Sequence, residues 1–291
     1  MAIEVLDTYT AMRGILVAPL EQRSALLEQM LRPVAGMYRY FPGEVDLVAM
    51  HRMGSGFPLD RDEELCREAA EALHDADAWG RIGRALDDAL AVQLAATPGI
   101  AVPDITVLVV LGDPGDAHFM GPNLGMTANG GVSGYLFLNF WPYPENLVRL
   151  EATAVHELNH NLRYSSAVVW NPATVTVGEQ VVSEGLADAF ARQLYGDELG
   201  YTRIGVPHLH DDAVFAKVVS GLQVTGMQNF AAWVHGDATA ARFGATPVGL
   251  PTGAGYAVGN RLVDAYLAAT GLTAADALLA EAAEVIRVAT T

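Results

Sequence analysis

Residues 144–165 read PENLVRLEATAVHELNHNLRYS, and at their centre stand His156, Glu157, Leu158, Asn159 and His160. Leu147, Leu150, Ala154, Leu158 and Leu162 recur at helical spacing, so the stretch predicts one amphipathic helix with an apolar stripe facing a core. Pro144 suits its first turn, because a proline there gives up an N–H that has no helical partner in any case. Two histidines four apart project from one face beside the stripe. A zinc ion takes its first two ligands from this arrangement, and Glu157, next to the first histidine, is placed to reach a metal-activated water.

Such a helix supplies two ligands, and a catalytic zinc takes a third from another element so that one position stays open. The next helix downstream offers Glu179 and Glu184. It opens at Thr176, which forms a capping box with Glu179, and runs to Tyr195, with Gly196 closing it. The two glutamates lie five residues apart, roughly 140° around the helix, so only one can face the metal. Glu179 is committed to the cap. Glu184 has Asp188 one turn later on its own face, where a carboxylate can hold the free ring N–H of a ligating histidine. The expected metal ligands are therefore His156, His160 and Glu184, with Asp188 behind them and Glu157 as general base.

Upstream, residues 105–111 form an almost continuous apolar run between Pro103 and Gly112, the signature of a buried strand. A glycine loop through Gly130, Gly131 and Gly134 reads as a turn needing positive φ. It leads into residues 135–141, where Leu136, Leu138 and Phe140 alternate with Tyr135, Phe137 and Asn139. Further towards the N-terminus, residues 19–38, a stretch opened by Asp60 and Glu63, and a run through Ile82, Leu86, Leu90 and Leu94 read as scaffold helices. Residues 38–58 are rich in aromatic, Gly and Pro residues, and Gly54, Ser55 and Gly56 read as a loop. His51 and His74 lie outside any ligand pair and are expected to be structural or superficial.

Downstream come a helix over residues 211–222, one through Phe230 and Trp233, a turn at 251–255, a helix through Leu262 and Tyr266, and a last helix over 273–288 opened by a Thr-x-x-Asp cap. His208 and His210, flanking Leu209, are candidates for an extra donor at the site. No repeat or low-complexity linker divides the chain. The expectation is a single domain, residues 1–100 forming a helical part and 101–291 the catalytic part.

Composition sets the class of partner. Of 291 residues, 51% are hydrophobic, ample for a core, and acidic residues outnumber basic ones 34 to 17, giving a net charge of -17. No basic stripe is present, so nucleic acid and anionic membrane surfaces are not expected partners; a peptide or protein substrate is. The single cysteine, Cys66, allows neither an intrachain disulfide nor a thiolate zinc site, which fits a reducing compartment. The N-terminus does not resemble a signal peptide, and no apolar run reaches membrane-spanning length, so a cytoplasmic location is expected.

Val155-His156-Glu157-Leu158-Asn159-His160 followed by Ser183-Glu184-Gly185-Leu186-Ala187-Asp188 resembles the gluzincin clan of metallopeptidases, which carry H-E-x-x-H plus a downstream glutamate. With Gly255-Tyr256-Ala257-Val258-Gly259 added, residues 105–267 resemble a family of predicted zinc-dependent proteases of unknown function. The resemblance implies a zincin-like α+β fold, mostly helical, with a small mixed sheet over the motif helix. It also implies a hydrolytic site holding one Zn2+ per chain. Tyr256 is a candidate hydrogen-bond donor to the oxyanion of a tetrahedral intermediate. In zincins the strand beside the motif helix is typically a sheet edge, so residues 131–139 are expected to be the edge to which a peptide adds, with Gly134 permitting close backbone approach. The function expected is peptide-bond hydrolysis by metal-activated water. The alternatives are a zinc hydrolase of a non-peptide amide or ester, and a noncatalytic metal-stabilised binding module.

Overall fold

The apolar run at residues 105–111 becomes the strand on which the sheet is built. In the computed structural model, which describes residues 3–41, 43–166, 168 and 170–291, four strands form one mixed sheet. They are β1 (Ile3–Val5), β2 (Ile105–Leu111), β3 (Met126–Asn129) and β4 (Tyr135–Phe140), in the spatial order β1-β2-β4-β3. β1 and β4 flank β2 in parallel, while β3 runs antiparallel to β4. β2 reads as an unbroken apolar run because it is interior to the sheet and almost wholly buried. Of the described residues 58% are helical. It divides into two compact units, Met1–Asp88 with Val102–Glu157, and Ala89–Ala101 with Leu158–Thr291.

β4 is not the sheet edge that the sequence suggests. Residues 135–140 pair with 106–111 on one side, residues 137–140 pair with β3 on the other, and Gly134 O accepts a hydrogen bond from Thr106 N (2.9 Å). The outer strand on that side is β3, whose Met-Thr-Ala-Asn sequence is short, of mixed polarity and half-exposed, as edge strands tend to be. The glycine loop is also corrected in part. Gly134 does adopt φ +88°, but Gly130 and Gly131 are not among the positive-φ residues. Gly130 is there for space: a β-carbon on it would overlap the carbonyl of Glu157 in the motif helix.

Several helices follow the sequence and several do not. Thr8–Val17, capped by Asp7, and Leu47–Met53, capped by Asp46, form where no helix is expected. The expected first helix is Leu20–Leu31 followed by a 3-10 stretch, Arg32–Tyr38, which begins where Pro33 interrupts the α pattern. Glu63–Asp75 starts after Asp62, in the left-handed region, so Asp60 is not its cap. Phe230 and Trp233 belong to a short 3-10 and π turn (Ala231–His235 for the latter) rather than to an α-helix. At the C-terminus Thr273 and Asp276 do bond reciprocally (3.0 and 3.2 Å through the backbone N–H groups) but close a turn, and the helix is Ala282–Ala289.

His51 is structural, as expected. It is buried, its Nε2 lies 2.9 Å from Phe57 O, and Nδ1 has no hydrogen-bond partner. Protonation would place an unpartnered cationic N–H in the core, and burial accordingly lowers its pKa from 6.5 to about 4. A depressed histidine contributes stability that is complete above its unfolded pKa and is lost as pH falls towards its folded one. The parent is expected to lose about 2 kcal/mol of stability through this residue between pH 7 and pH 5. Denaturant titrations of parent and His51→Gln at both pH values read it: the gap between the two proteins should narrow by that amount on acidification, and an unchanged gap refutes it.

In the second unit, Val177–Tyr195 packs against Ala254–Thr270 through two glycines. A β-carbon on Gly185 would overlap the carbonyl of Gly259, and one on Gly259 the carbonyl of Val181. Backbone-to-backbone approach of this kind brings the residues one step along each helix, Glu184 and Asn260, into fixed places. Gln93 is tied into the same unit by its amide, which donates to Ala275 O (2.7 Å).

Candidate metal centre

The motif helix spans Leu150–Ser165. Pro144 does not open it. That proline starts a separate turn, Pro144–Leu147, and the buried Asn146 side chain holds the junction by donating to Leu124 O, Gly125 O and Trp141 O at 3.0, 3.1 and 2.9 Å. The first turn of the motif helix is then clamped by Glu151, both of whose oxygens accept from Arg81 at 2.6 Å, and Arg81 also donates to Leu147 O at 2.9 Å. Thr153 contacts the sheet edge, its hydroxyl 3.3 Å from the sulfur of Met126. With Gly130 against the backbone of Glu157, the start of the helix has little freedom to shift.

His156 and His160 stand one turn apart on this helix, and the ligand-competent atoms of His156, His160 and Glu184 all lie within 4.8 Å of one another. Among the described residues this is the only such group of histidine, cysteine and carboxylate side chains. His160 Nε2 is 3.2 Å from Glu184 Oε2. Ligands about 2.0–2.1 Å from a tetrahedral zinc stand roughly 3.3 Å from each other, so the donor set and its spacing suit that ion. His156, Glu157, His160 and Glu184 are each 6% exposed, whereas Leu158, Asn159 and Asn161 between and beside them are at 0%. The four chemically active groups thus keep a small exposure, while the residues interleaved with them on the motif helix are core.

Two glutamates compete for the role of third ligand in the sequence, and their places differ. Glu179 N–H donates to Thr176 Oγ1 at 3.0 Å, but its carboxylate does not complete the capping box; it accepts two hydrogen bonds from the guanidinium of Arg163, at 2.9 and 3.0 Å. Arg163 is fully buried and also donates to Leu278 O (2.7 Å). Glu184 is the glutamate beside His160. Asp188, one turn further on, is buried and accepts from Thr202 N (3.1 Å), Thr202 Oγ1 (2.7 Å) and Asn260 Nδ2 (2.7 Å).

Tyr256 lies one turn before Asn260, 8% exposed, with its hydroxyl 3.5 Å from Nε2 of His235 and the two rings edge to face at 5.5 Å. His208 and His210 are in and just after a 3-10 turn and do not enter the metal-competent group. Sequence reasoning missed two side chains against His160 and one against Tyr256. His235 arrives from a turn that has no local signature. Ser183 Oγ is 2.9 Å from Nδ1 of His160, and Tyr164 lays its ring nearly parallel to that of His160 (6.4 Å, 8°). A hydroxyl immediately before the ligand glutamate and an aromatic residue one turn after the ligand histidine were the available signals.

The model of a protein family described as "Predicted Zn-dependent protease (DUF2268)" matches residues 87–287. A protein of Bacillus subtilis (strain 168) named "Uncharacterized protein YjfC" is 28% identical over 250 residues, which span 84% of this chain and 81% of that protein. No solved structure matches.

Proposed function

Because the chain belongs to the family of predicted Zn-dependent proteases, we propose that it is a gluzincin-type peptidase holding one zinc ion through His156, His160 and Glu184. The observation that carries the reading is the convergence of those three donors within 4.8 Å of one another, with the buried Glu157 next to the first of them in the chain. A bound zinc supplies Lewis acidity, polarising a carbonyl and making water more acidic. Glu157 takes the proton from the attacking water and delivers it to the departing amine nitrogen, so one carboxylate serves as base and then as acid. A purely structural metal has no use for a carboxylate in that place.

The remaining residues hold and polarise. Asp188, itself fixed by Thr202 and Asn260, holds the ring N–H of a ligating histidine. Tyr256 donates to the carbonyl oxygen as negative charge develops on it, with His235 against its hydroxyl. β3 replaces β4 as the strand to which an extended peptide adds: it is the terminal strand of the sheet and contacts the motif helix through Met126. The partner class is a peptide or protein. With a net charge of -17 and no basic stripe, nucleic acid has nothing to bind. A reducing, cytoplasmic setting suits the lone buried Cys66, whose thiol is pushed up to about 12 by burial. Among the described residues no helix is long and apolar enough to cross a membrane.

The test is digestion of a broad peptide library by the zinc-loaded protein, by the chelated protein, and by the chelated protein after zinc is restored. Cleavage is expected in the first and third and not in the second. Cleavage that persists after the metal is removed contradicts the mechanism; zinc-dependent turnover of esters or acyl amides without any peptide cleavage contradicts the substrate class.

A further inference from the structure

The ring of His160 is held on its far side by something other than a carboxylate. Its Nε2 faces Glu184 at 3.2 Å and its Nδ1 faces Ser183 Oγ at 2.9 Å, and Ser183 is 2% exposed. Ser183 is in turn hydrogen-bonded to the hydroxyl of Tyr164, the residue whose ring lies parallel to His160. One turn along the two facing helices, the bidentate pair of Arg163 and Glu179 locks their separation. Serine is therefore presented to His160 at a fixed distance by a buried ion pair next door.

We propose that Ser183, backed by Tyr164, is the positioning residue of His160: its oxygen accepts the Nδ1 proton, which leaves the Nε2 lone pair turned toward the metal. The inference rests on the zinc reading above and deepens it. A neutral imidazole has one N–H, and whichever nitrogen carries it cannot ligate. With a metal ion held at Nε2 the ring proton belongs on Nδ1, and Ser183 Oγ is the acceptor waiting for it there. A buried hydroxyl can accept there without adding a second negative charge beside Glu184, which a carboxylate would do. Tyr164, whose hydroxyl is hydrogen-bonded to Ser183 and whose ring lies nearly parallel to that of His160, backs the serine. Neither residue touches substrate; both act through the ring of His160.

The test uses the full-length protein, with zinc affinity measured by competition against a chromophoric chelator. The histidine ring nitrogens are followed by long-range 1H–15N NMR in the zinc-loaded state. Ser183→Ala is expected to weaken zinc binding by about 10- to 100-fold, the effect typical of an outer-shell partner. It should also abolish a slowly exchanging Nδ1–H signal assigned to His160. Tyr164→Phe should weaken binding less and broaden the same signal. The double variant should bind no more weakly than Ser183→Ala alone, because Tyr164 works through the serine. Unchanged affinity in Ser183→Ala, or a His160 Nδ1–H signal that survives it, overturns the proposal while leaving zinc binding by the parent intact. If Ser183→Ala does not fold, Tyr164→Phe decides: an unaltered Nδ1–H signal there removes the relay. A parent protein that binds no zinc at all takes down this inference together with the metal reading beneath it.

Discussion

Glu157→Gln is expected to bind zinc as the parent does, to melt at the same temperature, and to lose roughly 10^2- to 10^4-fold in kcat/KM on any peptide the parent cleaves. The amide is nearly isosteric and has almost the same helix propensity, so the motif helix keeps its geometry. The contact that fixes this part of the helix is Gly130 against the backbone carbonyl of residue 157, which the substitution leaves alone. What is lost is a base: an amide oxygen cannot take a proton from water and return it to the leaving nitrogen. The loss corresponds to about 3–5 kcal/mol of transition-state stabilisation. Steady-state kinetics and elemental analysis on the same preparation separate chemistry from metal binding, and activity surviving the change would remove Glu157 from the base role.

The second large effect splits the two glutamates of the Val177–Tyr195 helix. Glu184→Ala is expected to release zinc more completely than the roughly 10- to 100-fold weakening that follows loss of an outer partner, because it removes a direct ligand. Its effect on the stability of the metal-free protein should be small. Glu179→Gln is expected to do the reverse: zinc affinity near that of the parent, but a loss of about 3 kcal/mol or more in stability. The reason is that Arg163, with a fully buried side chain, loses its only anionic partner among the described contacts, and an uncompensated buried charge is costly. Chelator competition and chemical denaturation on both variants read the two outcomes. Equal zinc loss in both would mean that the helix, and not one carboxylate, matters.

These two residues also show what the sequence could convey. Helical phase made it clear that only one of them faces the metal, and the Asp188 spacing favoured Glu184; both arguments are local to one helix and need no tertiary knowledge. The same holds for His156 with His160 and for the apolar run of β2. Thr176 and Glu179 have the spacing of a complete capping box, and the Thr176 half does form. The other half fails because Arg163, from a different helix, binds the carboxylate. No local pattern announces that.

The edge strand failed for a related reason. β4 is the conspicuous strand because it is apolar, and it is apolar because it is interior, paired on both sides. The true edge, β3, is four residues of mixed polarity and carries almost no periodic signal. Likewise the Gly-x-x-x-Gly spacing of Gly255 and Gly259 was visible, but its purpose was not: Gly259 lets the backbone meet Gly185, and this is what sets Asn260 on Asp188. His235 was invisible because the turn that carries it meets Tyr256 only in the folded chain.

The most direct test of the central claim is the zinc content per chain of the purified protein, measured by elemental analysis on the parent, His156→Ala and His160→Ala after dialysis against trace zinc. One zinc per parent chain and essentially none in either variant is the predicted result, since each substitution leaves two of the three donors that now converge within 4.8 Å. Parent protein without zinc, or variants that retain as much as the parent, would contradict it.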